Sequence, residues 1–108
     1  MEGRTVPWVR LCEVDEIPVG GKKRFKVEGR EVLLVRLEDG FYAVDNRCPH
    51  AGCRLSYYGQ VWSRKRIMCS CHGAVFSLEN GRVLEGPAEK SLKTYRVEVR
   101  GGEVFVEL

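Results

Sequence analysis

Two short stretches constrain this chain more than any others. "CPHAGC" at 48–53 and "CSCHG" at 69–73 hold four of its five cysteines and both of its histidines. Thiols and imidazoles at such spacing, on two separate segments, are metal-ligand chemistry. A disulfide framework would not need the histidines, and a Cys/His nucleophile would not need both residues duplicated. The fold must therefore bring the two segments together.

The rest of the chain reads as all-β. Turn residues separate segments rich in Val, Leu, Phe and Tyr. Residues 30–46 predict two strands around Glu38-Asp39-Gly40, and residues 74–86 a hairpin turning at Asn80-Gly81. Residues 94–108 predict a third hairpin. There Tyr95, Val97 and Val99 alternate with charges, Gly101-Gly102 turn the chain, and Val104, Val106 and Leu108 alternate back. Those six side chains should share a core face. Cys12 sits beside Trp8, Val9 and Leu11 in a first strand, as a small core residue. One helical turn is expected after Asp15, stopped by Pro18 and Gly20-Gly21. Residues 54–68 add a short strand or two between the Cys/His segments.

The economical architecture is a single domain over residues 1–108, an antiparallel sandwich or partly open barrel. The Cys/His segments interrupt it as an insertion at about 46–77.

Net charge is +3 with a pI near 8.7, and the densest basic runs are "GKKRFK" at 21–26 and "SRKRI" at 63–67. They read as solvated loops, or as an electropositive surface that steers an acidic protein partner. No aromatic stacking pattern interleaves with them and no reader-helix motif is present, so nucleic acid is only weakly indicated. No apolar run is long enough for a membrane span, and "MEGRTVPWVR" lacks a signal-peptide layout. A cytoplasmic location is expected.

Zinc and a two-iron cluster compete for the ligand set. Zinc usually pairs Cys with Cys and His with His. Here each segment mixes the two types, which suits a cluster with its cysteines on one iron and its histidines on the other. From residue 41 to about residue 99 the sequence resembles Rieske-type [2Fe-2S] proteins. It has C-x-H then C-x-x-H in order, each Gly-flanked, followed by Asn80-Gly81 and Gly86-Pro87. The first forty residues are similar to the opening strands of soluble Rieske ferredoxins.

This resemblance implies a β-sandwich base carrying a small inserted cluster-binding subdomain, and one [2Fe-2S] cluster. It implies that Cys48 and Cys69 hold the buried iron, and His50 and His72 the outer one. Gly52 and Gly73 would let backbone approach the sulfides, and Pro87 would lie in the loop covering the far side. Cys53 and Cys71 match the disulfide of respiratory-type Rieske proteins; in a cytoplasmic chain that points to a thermophilic source. Ala74 and Phe76 stand where high-potential relatives carry Ser and Tyr hydroxyls, so a potential low in the Rieske span is expected.

The implied function is a soluble, monomeric one-electron carrier, not an enzyme. It would pass electrons from a reductase to a terminal oxygenase or other oxidoreductase. The alternatives are the small iron-sulfur subunit of a reductase of the nitrite reductase type, and a structural zinc module.

Overall fold

A computed structural model describes residues 8–49, 52–86 and 90–108. In chain order its strands are β1 (Trp8–Glu13), β2 (Lys22–Val27), β3 (Arg30–Leu37), β4 (Gly40–Asp45), β5 (Gly59–Trp62), β6 (Arg66–Cys69), β7 (Ala74–Ser77), β8 (Val83–Glu85), β9 (Thr94–Arg100) and β10 (Glu103–Glu107). They form two antiparallel sheets, one of six strands ordered β1-β10-β9-β4-β3-β2 and one of four ordered β5-β6-β7-β8. A single helical turn, α1 (Leu55–Tyr58), precedes β5. No helix among the described residues is long and apolar enough to cross a membrane.

Each predicted hairpin is present. Glu38 and Asp39 connect β3 to β4, whose register closes at Leu37 and Gly40. Gly101 and Gly102 link β9 to β10 with φ of 57° and 78°, the left-handed pair that a two-residue turn demands. The chain leaves the large sheet after β4 and re-enters it at β9, which pairs with β4 through Ala43–Tyr95 and Val44–Thr94. Everything that builds the second sheet lies between those neighbours.

β3 explains why two sheets cohere. Its run Val32-Leu33-Leu34-Val35 is wholly buried, on both faces. Val32 and Leu34 join Cys12, Ile17, Ala43, Tyr95, Val104 and Val106 in one core. Leu33 and Val35 face the other way, against Val44, Leu55, Ile67, Phe76, Leu78 and Leu92, with Cys48 and Cys69 in the same cluster. β3 and β4 are thus a wall shared by two cores, and the second core carries the thiols.

Three details differ from the sequence expectation. Residues 22–27 of the first basic run are the edge strand β2, not a loop; Lys23, Arg24 and Lys26 are exposed along it. Charged residues on an edge strand disfavour pairing with another chain. Within 63–67, Ser63–Lys65 is a turn but Arg66 already begins β6. Lys65 there binds Asp39 at 2.9 Å and Glu79 at 3.2 Å, pinning the turn to its neighbours. Val99 is 49% exposed although Val104, opposite it, is buried, because β10 lies between β9 and β1 whereas β4 pairs with β9 only at Thr94 and Tyr95. The expected turn near Asp15 is a single 3-10 turn over Val14–Glu16. Arg36 ties it down by donating from Nη1 to the Val14 and Ile17 carbonyls.

Candidate metal centre

The two Cys/His segments fold as variations of one turn. In the first, the Gly52 N–H donates to the Cys48 carbonyl at 2.7 Å, and the Cys48 N–H donates to the Cys53 carbonyl at 2.8 Å. In the second, the Gly73 N–H donates to the Cys69 carbonyl at 2.8 Å, closing the link between β6 and β7. Gly52 and Gly73 take φ of +72° and +81°, and a Cβ at either would meet nothing within 4 Å among the described residues. Backbone conformation, rather than crowding, calls for glycine at both places.

These turns leave Cys48 and Cys69 buried at 2% and 1% exposure, as part of the second core. Their side chains interact, and the backbone N–H groups of Cys71 and His72 act on the Cys69 sulfur. Burial pushes the Cys69 thiol above its ordinary range, and the Cys71 amide opposes it. Such amides stabilise a thiolate once a cation holds it there. His72 is exposed. Two thiols facing inward, one from each loop, and an exposed imidazole on the same loop as Cys69 make a donor set that fits a mixed Cys/His cluster. His50 and Pro87 lie outside the described residues.

Cys53 and Cys71 form a disulfide that joins the two loops, with their Cα atoms 6.7 Å apart. The sulfurs of Cys53, Cys69 and Cys71 all lie within 4.8 Å of one another. That trio is not a metal site as it stands, since two of the three are bonded to each other. Chain-entropy reasoning assigns a crosslink of this loop length about 3 kcal/mol of stabilisation. Cys12 belongs to the other core, where burial raises its thiol pKa.

Sequence reasoning missed the residue that positions the first loop. Asn46 is fully buried, two residues before Cys48. Its Nδ2 donates to Glu31 Oε1 and to Ser56 Oγ, each at 3.1 Å, and its Oδ1 accepts from the Ser56 N–H at 2.7 Å. Its carbonyl also accepts from the Leu55 N–H, and its own N–H donates to the Glu31 carbonyl. Asn46 therefore locks β3, α1 and the start of the loop into one arrangement. Nothing in the local sequence separates it from an ordinary turn asparagine.

Ala74 and Phe76 begin β7, 1% and 0% exposed, in the same core cluster as Cys48 and Cys69. Neither offers a hydroxyl.

Comparison with known proteins agrees with this geometry. The family model described as "Rieske [2Fe-2S] domain" matches residues 7–96. The ferredoxin component of a naphthalene 1,2-dioxygenase system from Pseudomonas aeruginosa is 34% identical over 96% of this chain and 98% of its own length. The ferredoxin of carbazole 1,9a-dioxygenase from Nocardioides aromaticivorans IC177 superposes with a TM-score of 0.87 at 32% identity, covering 93% of this chain and 96% of that one. A chain from a complex of reduced oxygenase and oxidized ferredoxin in carbazole 1,9a-dioxygenase gives 0.83 at 30% identity, covering 93% and 92%. With paired buried thiols, two matching loops and this similarity along nearly its whole length, the chain belongs to the Rieske [2Fe-2S] domain family.

Proposed function

We propose that this protein carries single electrons between a reductase and the oxygenase component of a dioxygenase system. Cys48, His50, Cys69 and His72 hold its one [2Fe-2S] cluster in this reading. The observation that carries the proposal is the inward pair Cys48 and Cys69, one from each loop and buried in one core cluster, with an exposed His72 on the same loop as Cys69. When bound, a cluster with two thiolates and two neutral imidazoles accepts one electron far more readily than a four-thiolate cluster. The second core keeps water from the thiolates, the amides of Cys71 and His72 offset charge on sulfur, and His72 meets the solvent where a partner docks. The relatives' names, ferredoxin components of dioxygenase systems and a ferredoxin in complex with an oxygenase, support this role.

A groove beside the first loop suits an acidic partner. Arg24, Arg47 and Arg54 line it with Gly52, Cys53 and the exposed Tyr57 and Tyr58. Arginine and tyrosine dominate binding energy at protein interfaces, and a positive patch speeds encounter with a negative one. Arg47 and Arg54 also pair with Glu31, so Arg24 and Tyr57 are the clean probes. With the protein reduced and the oxygenase component oxidised, the double variant R24E/Y57A is expected to slow bimolecular electron transfer by about tenfold at low salt. An unchanged rate would remove the groove from the docking surface. Failure of the intact protein to reduce the oxygenase, or a colourless zinc-loaded protein, would end the carrier reading.

The lack of hydroxyls at 74 and 76 supports a potential low in the Rieske span of roughly −150 to +300 mV. Hydroxyls donating to cluster sulfur favour the reduced, more negative state. A74S and F76Y are each expected to raise the midpoint by about 50 mV, the worth of one ordinary hydrogen bond for a one-electron couple. Voltammetry of the two variants checks this, and midpoints that do not move would refute it.

A further inference from the structure

We propose that the Cys53–Cys71 disulfide is a ligand selector, and that its reduction converts the loops into an all-thiol site for a soft divalent cation such as zinc. Three observations converge. The Cys53 and Cys71 sulfurs lie within 4.8 Å of the Cys69 sulfur, and Cys48 is buried in the same core cluster and interacts with the Cys69 thiol. Reduction therefore leaves three thiols within 4.8 Å of one another with Cys48 beside Cys69, and closing Cys48 onto that trio supplies the four ligands a tetrahedral zinc site requires. Cys53 and Cys71 are only partly buried, and Cys53 lines the groove that carries Arg24, Arg47 and Arg54. The disulfide can thus be reached, and the positive groove favours the thiolate that leaves when it is attacked.

The chemistry balances. A dithiol reductant is oxidised to its own disulfide while Cys53–Cys71 takes up two electrons and two protons. A divalent cation then displaces the protons of the four thiols as it binds. While the disulfide is closed, Cys53 and Cys71 cannot compete for metal. The only thiols offered are then Cys48 and Cys69, and histidines must complete the set. On this reading the crosslink decides which metal chemistry the loops accept, in addition to holding them together.

The inference rests on the cluster reading for the competing ligand set alone, and its test reads a site that needs no histidine. In the full chain carrying H50A/H72A, cobalt(II) binding is followed by the sulfur-to-cobalt charge-transfer absorption. The disulfide-closed form is compared with the form reduced by dithiothreitol and desalted without oxygen. Reduction is expected to tighten binding about 100-fold and to intensify the absorption. Adding C53S/C71S should abolish the gain. Adding C12A should leave it intact, because Cys12 lies in the other core, whereas an unfolded chain would recruit it. Equal binding in the two redox forms, a gain that survives C53S/C71S, or a gain lost with C12A would each overturn the proposal. Any of those results leaves the electron-carrier reading, tested on the unmodified protein, untouched.

Discussion

Replacing Gly81 with alanine is expected to cost the folded state about 4 kcal/mol, against a total stability of about 5–15 kcal/mol for a domain of this kind. A Cβ at this position would overlap the Leu92 carbonyl oxygen and lie 2.9 Å from the Leu92 carbonyl carbon. Both partners are fixed, because the Leu92 N–H donates to the Gly81 carbonyl at 2.7 Å and the Gly81 N–H to the Ser77 carbonyl at 2.8 Å. Leu92 is 2% exposed in the core that holds the thiols. Moving it sacrifices apolar burial worth about 1.5–3 kcal/mol and a hydrogen bond worth about 1 kcal/mol. The φ of +76° adds about 1–2 kcal/mol for any residue with a Cβ. Fewer unfolded conformations for alanine return at most about 1 kcal/mol.

Gly102 is the internal control. Its φ of +78° is nearly the same, but a Cβ there meets nothing within 4 Å. Denaturant midpoints should therefore shift strongly for G81A and by about 1 kcal/mol for G102A. Equal shifts would show that conformation alone, and not contact with Leu92, governs the site.

Asn46→Ala is the second large effect, and it acts on the centre itself. The variant removes the amide donors to Glu31 and Ser56, and it deprives the partly buried Ser56 N–H of its acceptor. The expected loss is about 3 kcal/mol, within the range for an unsatisfied buried group plus a lost hydrogen bond. Because Asn46 stands two residues before Cys48, loss of bound iron should accompany the loss of stability.

The change also has a pH signature. The Asn46 hydrogen bond is the foremost cause holding Glu31 below its ordinary carboxylate range, with Arg54 and Arg47 assisting. A carboxyl whose folded pKa is depressed stabilises the fold above its unfolded value, and that stabilisation fades as pH falls through the folded one. The gap between the parent and N46A should therefore be widest near neutral pH and narrow in acid. A pH-independent gap would assign Asn46 a packing role and release Glu31 from the network. N46D should behave in the opposite sense to a simple isostere. It sets a second carboxyl against Glu31 and recovers stability as acid protonates it.

Much of the outline was legible beforehand because it depends on local chemistry. Alternation at 94–108 with Gly101-Gly102, and the Asn80-Gly81 turn, state strand and turn preferences that no tertiary context overrode. The partition of six ligand-type side chains into two loops was equally plain, since such residues are scarce elsewhere in the chain. Other features depend on partners distant in sequence. The buried run Val32–Val35 reads as one hydrophobic strand, yet only packing shows that its two faces serve different cores. The edge position of β2 follows from sheet order, which the basic run at 21–26 does not encode. Asn46 is a turn residue until Glu31 and Ser56 close around it.

The chemistry available to this protein is written in its residues: which side chains can hold a metal, and which turns present them. Its family followed from those same residues. Tertiary structure alone decided what surrounds them. It put Cys48 and Cys69 against one face of β3, drew the Cys53–Cys71 disulfide to within 4.8 Å of the Cys69 sulfur, and set Leu92 against Gly81. Ligand identity is a property of side chains one at a time, whereas burial, contact and competition among ligands arise only when distant segments share the same volume.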